Sequence, residues 1–342
     1  MEWEKPGTKE AFQKFIQQKC GDQDFRAVVQ NVENWLHNLK KDTEIWPFSF
    51  DRFFMSQNKE HHIVSKVYLK YFSPNNDGKG ISILHYQHPY KSRIEVKDSG
   101  NSIFTKRNFY NTSQLENPNE IELFFGREIE QKYNFIMAEI AKEKDISDYE
   151  LKIKIMEWIF YSKIRSPMWR KLIQSELELK GYKFAFNSKE LREEHLQLIS
   201  NNEVFEGVLE IFDKNLSAKK WFILKSPSPF SFITSDNPGF SINVEDYNPS
   251  DKMLLPNAFW TNIRYDTVLY FPLSKNYCLR MQPYNNDDDV QLNISNTPIR
   301  FQIVSEDEQK LINSWTFCTH DNLLIASDKR ELNLFENIKN KS

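Results

Sequence analysis

Glycine is scarce in this chain: 9 of its 342 residues are glycine, well under half of the ~7 % usual in proteins. The glycine-dependent phosphate-binding patterns G-x-G-x-x-G and G-x-x-x-x-G-K-[ST] do not occur in it. The H-E-x-x-H pattern of zinc proteases and the G-x-S-x-G pattern of serine hydrolases are also absent. These absences argue against a glycine-rich nucleotide-binding fold and against the two commonest hydrolase signatures.

Cysteine is equally sparse. Cys20, Cys278 and Cys318 lie far apart and form no Cys-x-x-Cys pair, which argues against a disulfide framework and a structural zinc knuckle. This cysteine usage favours a reducing, cytoplasmic setting. No apolar run approaches the ~20 residues of a membrane span, and the first residues do not resemble a signal peptide. We therefore expect no membrane association.

Neither sign of charge dominates the chain. It carries 45 basic and 48 acidic residues, for a formal net charge of -3, so no global field attracts it to nucleic acid or to anionic lipid. A local basic groove stays compatible with this balance. Hydrophobic residues make up 39 % and aromatic residues 14 % of the chain, including 27 Phe. This composition is that of a globular protein with an aromatic core.

Helical periodicity dominates the first two thirds of the sequence. Residues 8–40 predict two helices, the second with an apolar stripe. The stripe consists of Phe25, Val28, Val29, Val32, Trp35, Leu36 and Leu39. We expect it to pack on the main body or on a second copy, as a homo-oligomer contact. Further helices are predicted over 119–142, 188–200 and 202–215, and from a Ser147–Glu150 capping box to Ser166, before Pro167.

Strand patterns occur once early in the chain and then dominate its last third. A hairpin is predicted at 81–86 and 93–96. Short strands are predicted at 221–224, 230–233, 267–271, 277–280 and 323–326. A second capping box, Ser305 and Glu308, opens a helix to about Thr316. The predicted class is α+β, with helical N-terminal and middle regions packed on a mostly C-terminal antiparallel or mixed sheet. The predicted divisions are an N-terminal helical extension, 1–55, the main α+β domain, 56–330, and a C-terminal tail, 331–342.

Four polar residues are candidates for chemistry. His62 follows His61 at the end of a polar loop and is suited to a general base or a metal ligand; the alternative is an exposed or capping histidine. Asp236, at a predicted strand end, suits a cation ligand or an orienting group, or else a structural Asx-turn. Arg165, at a helix end, suits an anion clamp or a helix cap. Glu130 lies among apolar neighbours on a predicted helix.

Several motifs resemble the family catalogued as domain of unknown function 4238. That family opens with His-x-x-Pro-x-x-x-Leu-x-x-Phe, carries Arg-(Ser/Thr)-Pro at a helix end, and later a Trp, Ser-Asp-Asn-Pro and Pro-Leu-Ser. The matching residues are His62, Ser65 in place of the proline, Leu69, Phe72, Arg165–Pro167, Trp221, Ser235–Pro238 and Pro272–Ser274. The resemblance spans roughly residues 60 to 330. It implies that His62, Arg165 and Asp236 share a site, and it implies no activity.

These residue types favour a bacterial-type enzyme that hydrolyses a phosphodiester, such as a nuclease or a toxin-like effector, with metal assistance as an open option. His62 would be base or ligand, Asp236 ligand or orienter and Arg165 an anion clamp, with a divalent metal held by His62 and Asp236. The alternative is a non-catalytic module that binds a ligand or nucleic acid, or acts as a sensor, through its aromatic residues.

Overall fold

The structure is a computed structural model that describes residues 60–87, 91–111, 120–200, 216, 219–243, 267–283 and 297–336. The predicted helices within 8–40 and 202–215 lie outside the described residues, as does the proposed contact between copies. The helices are α1 Lys66–Lys70, α2 Glu120–Phe124, α3 Gln131–Ile140, α4 Tyr149–Ile164, α5 Pro167–Leu179, α6 Lys189–Ser200, α7 Glu306–Thr319 and α8 Lys329–Glu336. A π-helical turn, Phe125–Glu130, joins α2 directly to α3.

The strands form three sheets. They are β1 Glu60–His62, β2 Ile81–Gln87, β3 Lys91–Lys97, β4 Thr105–Arg107, β5 Lys219–Lys225, β6 Thr234–Ser235, β7 Phe240–Asn243, β8 Thr267–Pro272, β9 Tyr277–Pro283, β10 Arg300–Ile303 and β11 Leu323–Ala326. The largest sheet has the order β10-β5-β9-β8-β7, a second has the order β3-β2-β11-β6, and β1 pairs with β4. The β10–β5 pair is parallel and the other pairs are antiparallel.

The predicted α+β class is confirmed, and every strand of the five-stranded sheet comes from residues after 218. Alternate residues of that sheet contribute to different cores, because successive strand side chains point to opposite faces. Ile223, Leu269 and Leu279 join the large core that also contains α3 and α4, whereas Leu224, Tyr270 and Cys278 pack with Ile312 and Trp315 of α7. The sheet is therefore covered on both faces.

The second sheet follows the same rule. Ile83 of β2 and Ile325 of β11 face the large core, whereas Leu84 and Leu324 pack with Leu332 and Phe335 of α8. α8 thus crosses residue 330, the predicted boundary between domain and tail, and closes the outer face of this sheet. The large helical core lies between the two sheets, with α7 and α8 on their outer faces.

Two local predictions were wrong in position. The strand expected at 230–233 is not formed there, because the backbone amide of Ser231 donates to Glu331 Oε1 at 3.1 Å and that of Ile233 donates to Asn313 Oδ1 at 3.1 Å. The short strand β6 follows instead. α4 is capped by Asp148 and not by Ser147, since the Asp148 carboxylate accepts from the amides of Glu150 and Leu151.

The junction between α4 and α5 matches its prediction. α4 ends at Ile164 with Arg165 as its C-cap, and Ser166 caps α5, in which Pro167 is the first residue. Proline is favoured at that position because its missing N–H would have had no helical partner. The predicted helix end at Arg165 is confirmed, and its side chain, 2 % exposed, points into the protein.

A buried lysine fixes the loop after β6 to the end of α4. Lys163, 1 % exposed, donates from Nζ to Asn237 Oδ1 at 2.8 Å, to the carbonyl of Pro238 at 3.2 Å and to that of Gly239 at 2.7 Å. Burial lowers the pKa of Lys163 well below its usual value, but three acceptors match the three N–H groups of an ammonium. These hydrogen bonds hold the Ser-Asp-Asn-Pro loop against the end of α4, next to Arg165.

We expect Lys163→Met to lower the free energy of unfolding by about 3 kcal/mol, because it leaves three buried oxygens without this donor. The matched control is Lys154→Met on the same helix, where the lysine makes a partly exposed i,i+4 pair with Glu150 at 3.4 Å and the cost is about 0.5 kcal/mol or less. Urea denaturation of both variants measures the difference. Equal losses in the two variants would contradict this role for Lys163.

Candidate functional site

The β1–β4 ribbon separates the two adjacent histidines. His61 pairs with Lys106 and His62 with Thr105, and neighbouring residues of a strand point to opposite faces. On one face the buried His61 ring stacks on Tyr110 at 5.4 Å, and its Nδ1 accepts from the Tyr110 amide at 2.8 Å. On the other face His62 approaches Glu122. The two histidines therefore belong to different environments.

His62 and Glu122 form a carboxylate–imidazole pair. His62 Nδ1 lies 3.1 Å from Glu122 Oε1, which also accepts from the His62 amide at 3.3 Å. An ionised carboxylate only accepts hydrogen bonds, so this contact assigns the ring proton to Nδ1 and leaves Nε2 as the acceptor. Nε2 is buried and has no hydrogen-bond partner in the described part of the chain.

Glu122 is held in its ionised form. Burial by itself would raise the pKa of Glu122, but the hydrogen bond from His62 and the charge of Arg165 outweigh burial, so the pKa is lowered. The second oxygen, Oε2, lies 4.0 Å from Arg165 NH2. The pair thus has a fixed negative charge behind the imidazole, which holds one tautomer and would stabilise an imidazolium.

Arg165 joins this pair to Glu130. Its NH1 donates to Glu130 Oε1 at 2.8 Å and its NH2 donates to the His62 carbonyl at 2.8 Å, while the guanidinium lies 4.5 Å from the centre of the Phe125 ring. The structure therefore brings three predicted site residues, His62, Arg165 and Glu130, together with Glu122. We name these four residues the His62 cluster.

The π-helical turn aligns the two carboxylates of this cluster. An α-helix turns by about 100° per residue, so two residues eight positions apart differ by about 80° in direction. Residues Phe125–Glu130 adopt i→i+5 bonding, which turns less per residue. Glu122 and Glu130 consequently reach the same guanidinium from one continuous helix.

Three polar atoms of the His62 cluster are buried without a hydrogen-bond partner among the described residues: His62 Nε2, Glu122 Oε2 and Arg165 Nε. Buried polar atoms are nearly always paired with protein, water or a ligand. A base, an acceptor and a donor in one cluster offer a polar ligand complementary partners. A small cavity that holds about one water lies beside it, lined by Ser65, Tyr68, Arg165 and Pro238 among others.

Asp236 lies in a neighbouring network, which we name the Asp236 cluster: Asp236, Asp321 and Lys171. Asp236 Oδ1 accepts from the Asp321 amide at 3.0 Å and its Oδ2 accepts from the Asn322 amide at 2.9 Å. Lys171 Nζ pairs with Asp321 Oδ1. Burial, and then the charge of Asp321, raise the pKa of Asp236 to about 6. No described hydrogen bond or ion pair joins this cluster to His62, Glu130 or Arg165.

The loop after β6 nevertheless connects the two clusters. Asn237, next to Asp236, is bonded to Lys163 and donates to the Thr319 carbonyl at 2.9 Å. Pro238 borders the same cavity as Arg165 and Ser65. Three of the motifs that carry the family resemblance, those of His62, Arg165 and Asp236, therefore meet around the end of α4, although Asp236 does not touch the other predicted site residues.

Metal ligation by His62 and Asp236 stays a prediction. The described residues contain no group of three or more His, Cys, Asp and Glu side chains that could hold a metal ion. The two predicted ligands lie in separate hydrogen-bond networks, and the second donor near His62 is Glu122 Oε2 instead.

None of the described helices is both long and apolar enough to cross a membrane.

Glu122 and two groups behind His61, His195 and Arg170, were not predicted from the sequence. His195 is fully buried; its Nε2 lies 2.6 Å from the Ile164 carbonyl and its Nδ1 accepts from Arg170 Nε at 3.2 Å. Burial, and then the charge of Arg170, lower the pKa of His195 to about 3, so it is neutral at physiological pH. No local pattern marks these contacts, because they join residues 25 or more positions apart.

We expect Asp236→Asn to change how stability depends on pH. Between the ordinary aspartate pKa of 3.8 and about 6, folded Asp236 binds a proton that the unfolded chain does not, so this group makes stability fall as pH rises through that window. In the variant, the free energy of unfolding should depend less steeply on pH in this window, by at most ~1.4 kcal/mol per pH unit. Urea unfolding from pH 4 to pH 7 measures it, with surface Asp307→Asn as the control. Identical slopes in wild type and Asp236→Asn would show the prediction to be wrong.

Comparison with known proteins gives a family and no described activity. No curated protein and no solved structure shows significant similarity to the chain. A family model described as protein of unknown function (DUF4238) matches residues 60–330. The matched range contains the His62 cluster, the Asp236 cluster and all three sheets. Since the match covers most of the chain, this protein belongs to the family of proteins of unknown function DUF4238.

Proposed function

We propose that this protein is a hydrolase that cleaves a phosphodiester with His62 as its general base. The observation that carries the proposal is the pairing of His62 Nδ1 with ionised Glu122 at 3.1 Å, with the buried Nε2 left without a partner among the described residues. A base oriented by a carboxylate through its other nitrogen is a recurrent arrangement in hydrolases.

In the proposed reaction, His62 Nε2 accepts a proton from an attacking water. The water oxygen forms a bond to phosphorus, the bond from phosphorus to the leaving oxygen breaks, and the imidazolium returns its proton to that oxygen. Glu122 stabilises the transient imidazolium by its charge. General base catalysis of this kind contributes about 10²–10⁴-fold in rate.

Arg165 takes a positioning role in this proposal in place of the anion clamp suggested by the sequence. Its NH1 and NH2 are engaged by Glu130 and by the His62 carbonyl at 2.8 Å each. It therefore fixes the backbone of the base and balances two carboxylates. Glu130 in turn holds the guanidinium, so neither residue needs to touch the substrate.

We propose the substrate class from charge. Buried cationic side chains lie at the end of α4 and the start of α5, among them Lys163, Arg165 and Arg170, each no more than 2 % exposed. Glu122 and Glu130 offset the charge of Arg165, so Lys163 and Arg170 are the members of this set that favour an anionic substrate. Nucleic acid is the phosphodiester we favour, cleaved by a nuclease or toxin-like effector that acts in the cytoplasm, where the free cysteines Cys278 and Cys318 stay reduced.

A non-catalytic nucleic-acid-binding or sensor module is the second candidate. The favouring observation is that NH1 and NH2 of Arg165 are both engaged by protein groups, as expected for a structural ion pair. In that case His62 would only complete the same network. The two functions differ in one measurable respect: only the hydrolase turns a phosphodiester over.

We expect His62→Ala to lower kcat on bis(p-nitrophenyl) phosphate or a labelled oligonucleotide by at least about 100-fold. Glu122→Gln should lower it by about 10- to 100-fold, because the amide no longer fixes the tautomer by charge. His85→Ala, a partly exposed histidine on β2, is the control and should leave kcat unchanged. Urea midpoints close to wild type must accompany the losses. Turnover that survives in well-folded His62→Ala would refute the proposal.

Metal assistance is tested separately. If a divalent cation joins His62 and Glu122 in the reaction, EDTA abolishes turnover, Mg²⁺ or Mn²⁺ restores it, and Glu122→Gln weakens the metal dependence. If His62 acts alone as the base, turnover is unaffected by EDTA. The measurement is the initial rate with and without chelator, on protein purified without a histidine tag.

A further inference from the structure

A cationic and aromatic surface lies on the face of the β1–β4 ribbon opposite His62. Lys106 Nζ is 5.2 Å from the centre of the Phe186 ring and 5.9 Å from that of Phe109, and the Arg170 guanidinium is 3.6 Å from Phe109 and 5.6 Å from Phe186. Two cations therefore share the same two rings. Contacts of this kind hold a cation without neutralising its charge.

The positive side chains of this surface outnumber the acidic side chains in contact with them. Arg170 donates to the neutral His195 ring and, at 2.6 Å, to the Phe109 carbonyl; burial lowers its pKa to about 9, so it stays charged at pH 7. Arg192 makes only a 3.5 Å contact with the Asn108 carbonyl, and its buried Nε has no partner among the described residues. Within the described chain, no carboxylate lies within 4.0 Å of Lys106, Arg170 or Arg192.

The acids that act on Lys106 are those of the Asp236 cluster. Asp321 and Asp236 attract Lys106 over a longer distance, and Lys171 neutralises Asp321 by direct contact. The balance leaves Arg170 and Arg192, which repel each other, as a pair of cations whose charges the described acids do not offset. A desolvated pair of like charges is stabilised by an anion between them.

Aromatic rings extend this surface along the chain. Between α5 and α6, alternate residues Tyr182, Phe184 and Phe186 are aromatic, and the Tyr182 and Phe184 rings are stacked at 6.2 Å with an angle of 4° between them. Tyr182 is 55 % exposed. Gln174 Nε2 anchors this segment to α5 by donating to the Phe184 carbonyl at 2.8 Å. Phe186 of this segment lies beside the two cations, and Tyr182, four residues earlier, presents an exposed ring.

We infer that this surface binds single-stranded nucleic acid, with backbone phosphates on Lys106 and Arg192, the buried charge of Arg170 beneath them, and a base stacked on Tyr182. Cations that follow a backbone, together with rings that stack on bases, are the two components of sequence-tolerant single-strand binding. The inference rests on the proposed function, which it deepens by naming the substrate class. The bound nucleic acid would lie on the face of the β1–β4 ribbon opposite His62. It must therefore pass around the edge of the ribbon to reach the proposed base.

The experiment measures binding of a fluorescent 12-nucleotide single strand by anisotropy, using full-length His62→Ala protein so that cleavage does not interfere. We expect the double variant Lys106→Gln/Arg192→Gln to bind at least tenfold more weakly. We also expect its log–log salt slope to be smaller by about 0.7 for each phosphate that the variant no longer binds. The matched control, Lys79→Gln/Arg300→Gln, removes the same charge at two exposed positions and should bind as the parent does.

The stacking component has its own pair of variants. Tyr182→Ala should weaken oligonucleotide binding about fivefold or more and leave binding of heparin, a polyanion without bases, unchanged. Tyr149→Ala, 46 % exposed on α4, is the matched control. Equal binding by the Lys106/Arg192 variant and its control, or an equal effect of Tyr182→Ala on heparin, would overturn the inference.

The outcomes separate this inference from the proposed function. If His62→Ala protein binds the strand through these residues but wild type never cleaves it, the surface is correct and the hydrolase proposal fails. If wild type cleaves phosphodiesters and the Lys106/Arg192 variant retains its KM for the oligonucleotide, the hydrolase proposal holds and the surface is wrong. Binding of inorganic phosphate alone, with no oligonucleotide binding, also overturns the inference.

Discussion

The interaction on which the polar centre of this protein depends is the buried contact between Lys163 and the loop after β6. The Lys163 amine donates to the side-chain oxygen of Asn237 and to the backbone carbonyls of Pro238 and Gly239. Since Lys163 is two residues before Arg165, the loop and the helix end are fixed relative to each other. Arg165 in turn donates to the His62 carbonyl. The position of the proposed base, His62, therefore depends on the contact that Lys163 makes two residues earlier.

Two polar networks lie on opposite faces of one short ribbon, and they differ in kind. The His62 cluster is rich in carboxylates and has a ring nitrogen without a partner among the described residues. The network behind His61 is cationic and packed against rings: Arg170 lies on Phe109 and is bonded to neutral His195. A strand is the simplest element that produces such a division, because adjacent residues 61 and 62 must point apart.

Much of the fold could be predicted from local patterns. The strand Leu323–Ala326 and the Arg165-Ser-Pro helix junction agree with prediction, because burial and proline geometry act within a few residues. Three of the four proposed site residues meet. Glu122 was missed because an ordinary helix would direct it away from Glu130. Asp236 contacts other partners than His62 and Arg165, because its oxygens accept from amides 85 and 86 residues away.

The π-helical turn has a consequence for how this family could vary in sequence. A turn closed by i→i+5 bonds contains one residue more than an α-helical turn, and no atom lies within 4 Å of where a Cβ on Gly126 would be. Loss of one residue there would restore a regular helix. Tyr133 and Ile136 anchor the far side in the core, so the rotation would fall on the residues before the turn, which include Glu122 and buried Ile121. A single-codon deletion would thus disconnect the carboxylate from the histidine and turn Ile121 out of the core.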